Sequence, residues 1–432
     1  MKKILLIATT LVTLSGSNAY SIDGWVGYPT PISEQVSNIY FVNSLTGWAV
    51  FGSGKIVKST DGGITWTIQH QTQNLSLYSL SFINENTGWC AGGSRNLFTY
   101  NYYYLVGTTN GGNTWDSLFY GVASFSYLSK VHLQSPTLGF LLGDGGNGGG
   151  TEGFLLKSTS FGNSWSSVQT QTHDYWDIKF KDNNTGWAIT KYGDDTDHDT
   201  ATIIKTTNGG TTWNRIYFRN SLNIYSIIYI ENDDIIASGQ IFTPGNPGRI
   251  ILRSTNGGQT WDSTLLSSGK IPLFIDFNTG WSTAANGIFK TTDGAVSFTQ
   301  QSTSSTYSLF FVDSLHGWAA GDLGIIYRTT TGGVTNINQV NNTVPKTFRL
   351  YQNYPNPFNP STNIRFGIAN SSNVKISIYD VTGKLIEVLV NQKLSAGTYE
   401  IQWNADGFAS GVYFYSLEAE GFNQTRKMLL IK

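Results

Sequence analysis

Across 432 residues there is a single cysteine, Cys90, so neither an intramolecular disulfide nor a two-thiol metal or redox site is possible. Charge is scarce as well. Asp, Glu, Lys and Arg make up 13% of the chain, about half the usual share of roughly 25%. A formal net charge of −1 removes the electrostatic basis for nucleic-acid binding and leaves little for an anionic membrane surface. After residue 19 no apolar run is long enough to span a bilayer. No arginine occurs before Arg95. Gly, Asn, Ser, Thr and aromatic residues fill the space that charge leaves, a composition suited to turns and short strands.

The first nineteen residues carry Lys2 and Lys3, an apolar run from Ile4 to Leu14, and Ser17-Asn18-Ala19. This pattern predicts a secretory signal over 1–19 with a small-residue cleavage site. No cysteine follows that site, which argues against a lipoprotein anchor.

One octapeptide organises the rest of the chain. Ser59–Trp66 reads STDGGITW, and related octapeptides begin at Thr108, Ser158, Thr206, Ser254, Thr291 and Thr329. The spacings are 49, 50, 48, 48, 37 and 38 residues, periods that point to propeller blades or solenoid coils. Within the first unit, Ser37–Val42, Gly47–Phe51, Lys55–Ser59 and Thr65–His70 read as strands, and four strands per unit define a propeller blade. A second motif, Thr46-Gly47-Trp48, recurs as Thr87-Gly88-Trp89, Leu138-Gly139-Phe140, Thr185-Gly186-Trp187, Thr279-Gly280-Trp281 and His316-Gly317-Trp318. Unit five departs, with Asp234-Ile235-Ile236 in that place. Cys90 follows Trp89 where other units have Ala49, Ala188 or Ser282, a position for a small buried side chain.

The seventh octapeptide ends in Asn336 where an aromatic is expected. Trp25 lies sixteen residues before Phe41, as Trp66 does before Phe82 and Trp261 before Phe277. Asp23–Pro31 is therefore expected to supply the outer strand of the last blade and to close the ring, which removes open sheet edges.

The octapeptide resembles the Asp-box, or bacterial neuraminidase, repeat. Its pattern falls on Asp61, Gly63 and Trp66, and in later copies on Asn110, Gly112 and Trp115, Asn208, Gly210 and Trp213, and Asn256, Gly258 and Trp261. Together with the Thr-Gly-Trp motif, the chain looks most like propellers of the photosystem II assembly/stability-factor family. In physical terms the octapeptide is a turn device: Asp or Asn accepts turn amides, Gly supplies positive φ, and Trp fills the space between blades.

The expected fold is all-β: a seven-bladed β-propeller over 20–336, a linker over 337–344, and a small immunoglobulin-like β-sandwich over 345–432. In the last segment Leu350–Pro360, Val374–Asp380, Gly411-Val412-Tyr413 and Arg426–Lys432 resemble the type A C-terminal sorting domain of type IX secretion. That resemblance implies type IX machinery as a partner, passage across an outer membrane, removal of the domain, and release or surface attachment.

Counting from the Thr-Gly-Trp aromatic to the octapeptide gives 11, 10 and 11 residues in blades one, six and seven, against 19, 18 and 19 in blades two, three and four. Blade five has a similar insertion at Gln240–Arg249. Four consecutive blades thus carry enlarged loops on one face, where function on propellers concentrates. Candidate ligand-binding residues there are Arg95, Tyr100, Tyr102, Tyr103, Tyr104, His173, Asp174, Asp177 and Arg249. Exposed Tyr rings suit sugar faces or protein partners; packing of alternate members back onto the propeller is the competing reading. Asp194, Asp195, Asp197 and Asp199 could ligate Ca²⁺, although the EF-hand spacing is absent and a solvated acidic loop fits as well. His173, Asp174 and Asp177 are the one place where acid/base chemistry could assemble.

Two classes of function are open to such a chain: a secreted or surface-displayed non-catalytic propeller that binds a glycan or protein, and a sialidase-like glycoside hydrolase. A sialidase site needs three arginines, the first in an Arg-Ile-Pro motif ahead of the first box. Arg215-Ile216-Tyr217 and Arg249-Ile250-Ile251 both lack the Pro, so the non-catalytic reading is preferred. An assembly or maturation role rests on the family resemblance alone.

Overall fold

The computed structural model describes residues 20–432 apart from 23, 73–74, 95–100, 124–126, 145–152, 169–173, 192–199, 244–245, 267–271, 285, 334–337, 342–343 and 406–407. Seven antiparallel sheets follow one another among the described residues up to Thr329. Six have four strands paired in chain order, beginning at the inner strands Val36–Phe41, Ser76–Phe82, Tyr127–Ser135, Asp174–Phe180, Leu222–Tyr229 and Leu273–Phe274. The seventh starts at Thr306–Phe311 and continues through Gly317–Gly321 and Ile325–Thr329. Its outer strand is Trp25–Pro29, extended by Tyr20–Ile22. The amino end of the chain therefore completes the last blade.

Aromatic stacking repeats from blade to blade. The Thr-Gly-Trp ring of one blade lies flat on the inner-strand aromatic of the next: Trp48 on Phe82 at 3.7 Å, Trp281 on Phe311 at 3.8 Å and Trp318 on Phe41 at 3.5 Å. The octapeptide Trp then meets that same ring edge-on, as Trp66 meets Phe41 and Trp115 meets Phe82, both at 85°. Trp25 meets Phe311 at 5.8 Å and 85°. It occupies the octapeptide-Trp place of blade seven, and the Trp318–Phe41 stack joins blade seven to blade one. Phe277 does not follow the pattern: Phe274 pairs with Gly280 in the inner strand of blade six, and Phe277 stands in the turn beyond it. The sixteen-residue register thus holds for Trp25 and Trp66 but not for Trp261.

Hydrogen bonds reinforce the stacks. Lys58, Lys205 and Lys290 each donate to a glycine carbonyl in the next octapeptide, Gly111, Gly257 and Gly332, at 2.7, 2.9 and 3.1 Å. Trp187, Trp281 and Trp318 donate Nε1–H to Gly257, Gly332 and Gly62 at 3.2, 3.1 and 2.7 Å. Inside each box the polar groups satisfy one another. Asp61 accepts Thr65 N at 2.9 Å and Thr65 Oγ1 at 2.5 Å, while Ser59 Oγ accepts Gly63 N at 2.8 Å. Asn110, Asn208 and Asn256 accept the matching Thr amides at 2.9 to 3.0 Å. Gly63 and Gly112 take φ of +92° and +88°, values that L side chains rarely adopt. Burial works against the Asp61 carboxylate, yet the bonds from Thr65 and Ser59 and the nearby Lys384 hold it below the usual carboxylate range. Cys90 is fully buried beside Trp48 and Phe82, and burial pushes its thiol up.

The C-terminal segment forms two four-stranded sheets packed face to face over Leu350, Phe366, Ile376, Trp403, Tyr415 and Met428. Asn338–Asn341, expected as linker, pairs with Gly397–Asn404 and forms an edge strand of this domain.

Candidate functional site

Inner strands have one free edge, which would leave N–H and C=O groups unpaired around the propeller axis. Side chains of the preceding blade cap it. Tyr40 OH donates to Phe82 O at 2.9 Å; Ser79 and Ser81 Oγ accept the amides of Val131 and Leu133 at 3.1 and 2.9 Å. Asp177 does the same for blade five, where its Oδ2 accepts Ile227 N at 3.0 Å. Its Oδ1 accepts Lys130 Nζ from blade three and its own neighbour's amide, Ile178 N, at 2.8 Å. The carboxylate is 1% exposed. Burial alone would raise its pKa, but Lys130 and Lys179 with these hydrogen bonds hold it below the ordinary range. Asp177, expected as a ligand or acid/base group, is instead a buried brace across three blades.

The tyrosine run of blade two, expected as an exposed loop, is likewise built into the scaffold. Asn101–Thr108 is a strand paired on both sides, with Gly88–Ser94 and Asp116–Ala123. A blade is covered on both faces, so alternate side chains of such a strand go to opposite neighbours. Tyr103 is buried against Phe154 at 5.3 Å. Tyr104 packs beside the Trp48–Phe82 group, and burial raises its phenol. Tyr102 lies in the strand, and Arg95 and Tyr100 lie outside the described residues. His173 and the acidic run with Asp194, Asp195, Asp197 and Asp199 also fall outside them, while the main chain of Asp174 pairs with Lys191. Among the described residues no group of three His, Cys, Asp or Glu side chains is placed to hold a metal ion. The insertion of blade five is an extended hairpin, with Ile235–Thr243 paired to Asn246–Ser254 along its length.

A different set of rings faces solvent on the loop side. Six inner strands carry a bulge at one equivalent position, and the extra residues are Ser37, Tyr78, Ser129, Trp176, Tyr225 and Tyr307. Such bulges re-aim a side chain out of the sheet. Tyr78 and Trp176 are each 37% exposed and Tyr307 is 52% exposed. Trp176 and Tyr225 touch at a centroid distance of 5.4 Å, and the Arg249 guanidinium lies 6.0 Å from the Tyr225 ring. The phenols are tethered at the ends of second strands: Tyr78 OH to Gly93 O at 3.5 Å, Tyr225 OH to Gln240 at 3.5 Å, Tyr307 OH to Asp322 at 3.1 Å. Of the residues proposed from sequence, only Arg249 falls into this group. Its rings carry a signal in the chain, for each stands four residues before the inner-strand aromatic (Phe82, Phe180, Tyr229 or Phe311).

The fold defines a repeat β-propeller with an aromatic-bearing loop face, carried in one chain with a separate β-sandwich. Residues 157–306 match the family described as the photosynthesis system II assembly factor YCF48, and residues 352–432 match the secretion system C-terminal sorting domain. The propeller is thus similar to the first family over part of its length, and the C-terminal segment matches a sorting domain of the type IX kind, which indicates export to the cell surface or beyond. Among solved structures, one of YCF48 bound to a D1 peptide is similar at 17% identity and a TM-score of 0.53, covering 73% of this chain and 99% of that one. The WD40 propeller domain of Doa1 is similar at 11% identity and a TM-score of 0.45, over 71% and 95%. No curated protein matches the chain. Among the described residues no helix is long and apolar enough to cross a membrane.

Proposed function

We propose that this protein is a non-catalytic binding propeller, led into the secretory route by residues 1–19, exported by type IX machinery through residues 345–432, and engaging a glycan outside the cell through its loop face. The observation that carries this reading is the set of rings on the loop side, the exposed Tyr78, Trp176 and Tyr307 and the half-buried Tyr225, with Arg249 beside Tyr225. Rigid aromatics bury area on a ligand at low entropic cost, and the adjoining Gln240, Asp322 and Arg249 supply donors and acceptors. The engagement of Asp177 between blades supports a non-enzymatic role, because its carboxylate oxygens are committed to Lys130, Ile178 and Ile227. A peptide ligand, and with it an assembly role, is the second reading; it is favoured by the similar propeller solved with a peptide bound.

Glycan and peptide arrays probed with the wild-type chain and with Trp176→Ala and Tyr307→Ala separate these readings. A glycan signal that weakens tenfold or more in both variants is the expected result, since central aromatic anchors are typically worth about 2 kcal/mol or more. A peptide signal with the same sensitivity would replace the glycan, and indifference to both changes would remove the rim as the site. Turnover of sialosides or β-glucans that is abolished by Asp174→Asn would overturn the non-catalytic reading. Deletion of residues 345–432 is expected to abolish appearance of the protein outside the cell in a type IX host, measured by immunoblot of medium and surface fractions. Unchanged export would contradict the sorting role.

A further inference from the structure

Among the described residues the sorting domain meets the propeller at the join where the ring closes. Glu387, 5% exposed, bridges the two domains. Its Oε1 accepts the hydroxyl of Thr330 from the propeller, and its Oε2 accepts Trp403 Nε1 at 3.1 Å from within its own domain. The Tyr28 hydroxyl, on the closing strand, is hydrogen-bonded to the main chain of Val388. Lys384 reaches Asp61 in the first octapeptide at 3.5 Å. The strand Tyr20–Ile22 lies against Leu385–Leu394. The propeller groups named here, Tyr20–Ile22, Tyr28, Thr330 and Asp61, belong to the closing strands or to the octapeptides of blades seven and one. Arg328, 4% exposed, fills the seam between those blades, where a Cβ on Gly62 would come within 2.9 Å of its Cζ.

We infer that the sorting domain acts as a clasp on the propeller ring, with Glu387 as the fastening group and the retained amino-terminal strand as what it secures. The chemistry supports this reading. A carboxylate withdrawn from water is destabilising unless hydrogen-bonded, and here its two oxygens are divided between the two domains. Separating the domains leaves Glu387 with half its partners and uncovers Tyr28. Blade seven differs from the other six in that its outer strand comes from the opposite end of the chain, so it has no short connection to hold that strand in place. The docked domain supplies that restraint.

Hydrogen exchange on the full chain tests the clasp. Thr330→Val removes the cross-domain hydroxyl at constant shape and leaves the Glu387–Trp403 bond, whereas Glu387→Gln weakens both. Exchange of the amides in Trp25–Pro29 and Ile325–Thr329 should quicken about tenfold in each variant, the scale of a lost hydrogen bond to a charged group. Blades three to five should be unaffected. Trp403→Phe, which removes only the bond within the sorting domain, should leave blade seven slower than either variant does. The clasp is refuted if blade-seven exchange stays at the wild-type rate in both variants. It is equally refuted if all seven blades accelerate together, which would mark a general loss of stability.

Discussion

Replacing Trp25 with alanine is expected to destabilise the protein by about 3–5 kcal/mol, the range for truncating a fully buried tryptophan. That is a large share of a typical total of about 5–15 kcal/mol. The ring is completely buried and packs edge-on against Phe311, which itself stacks on Trp281. Its loss opens a cavity that spans the closing strand and two blades. Trp25→Phe should cost much less, because the indole N–H is buried with no acceptor among the described residues, and phenylalanine removes that liability while keeping most of the contact area. Urea unfolding of the two variants, followed by tryptophan fluorescence and far-ultraviolet dichroism, measures the difference. Equal, small effects for both would mean that the strand carrying Trp25 contributes little to closing the ring.

The second large effect is expected at Asp177. Asp177→Ala should cost about 3 kcal/mol at neutral pH, the low end for breaking a buried ion pair, since Lys130 is partly exposed and rehydrates. Asp177→Asn retains an acceptor for Ile227 N and should fall between that value and wild type. The sign of the pH dependence comes from the depressed carboxyl. Its contribution is fully present above the unfolded-state value near 4 and is lost as pH falls through the lower folded-state value. Wild type and Asp177→Asn should therefore differ most above pH ~5 and converge in stronger acid. Burial, together with Lys179 and Lys130, lowers the His132 imidazole to about 3. It adds a further acid-sensitive loss between roughly pH 6.5 and that lower value, and in Asp177→Asn, where the carboxylate that raises the imidazole is gone, this loss runs further into acid. Denaturation midpoints from pH 3 to 8 test the pair. A constant gap between the two proteins across that range would show that the carboxylate is not a charged brace.

The scaffold was legible in the sequence because its instructions are local. The octapeptide satisfies its own turn, from Ser59 Oγ to Gly63 N and from Asp61 to Thr65, so each copy declares itself without its neighbours. Trp25 was legible for a related reason: the distance from an octapeptide Trp to the next inner-strand aromatic repeats, and Trp25–Phe41 keeps it. The same reasoning misplaced Phe277, because the path from Trp261 into blade six is three residues shorter, ending at Phe274. Asp177 was misread because its partners lie 47 and 50 residues away, on two other blades. Tyr103 and Tyr104 were expected on a loop, but two-sided burial gives a third strand no polar alternation to read. The bulged rings of Tyr78, Trp176, Tyr225 and Tyr307 went unseen since a bulge interrupts the alternation on which strand reading depends.

The closing strand also sets the smallest fragment worth isolating. A propeller excised at the first recognisable repeat, near Val36, would keep every octapeptide and still lack the outer strand of a blade almost 300 positions downstream. Cloning boundaries drawn from repeat alignments would yield a ring with a notch, exposing Phe311 and the edge of Ile325–Thr329 to whatever strand is at hand. Tags and fusions placed at Tyr20 abut the joint itself.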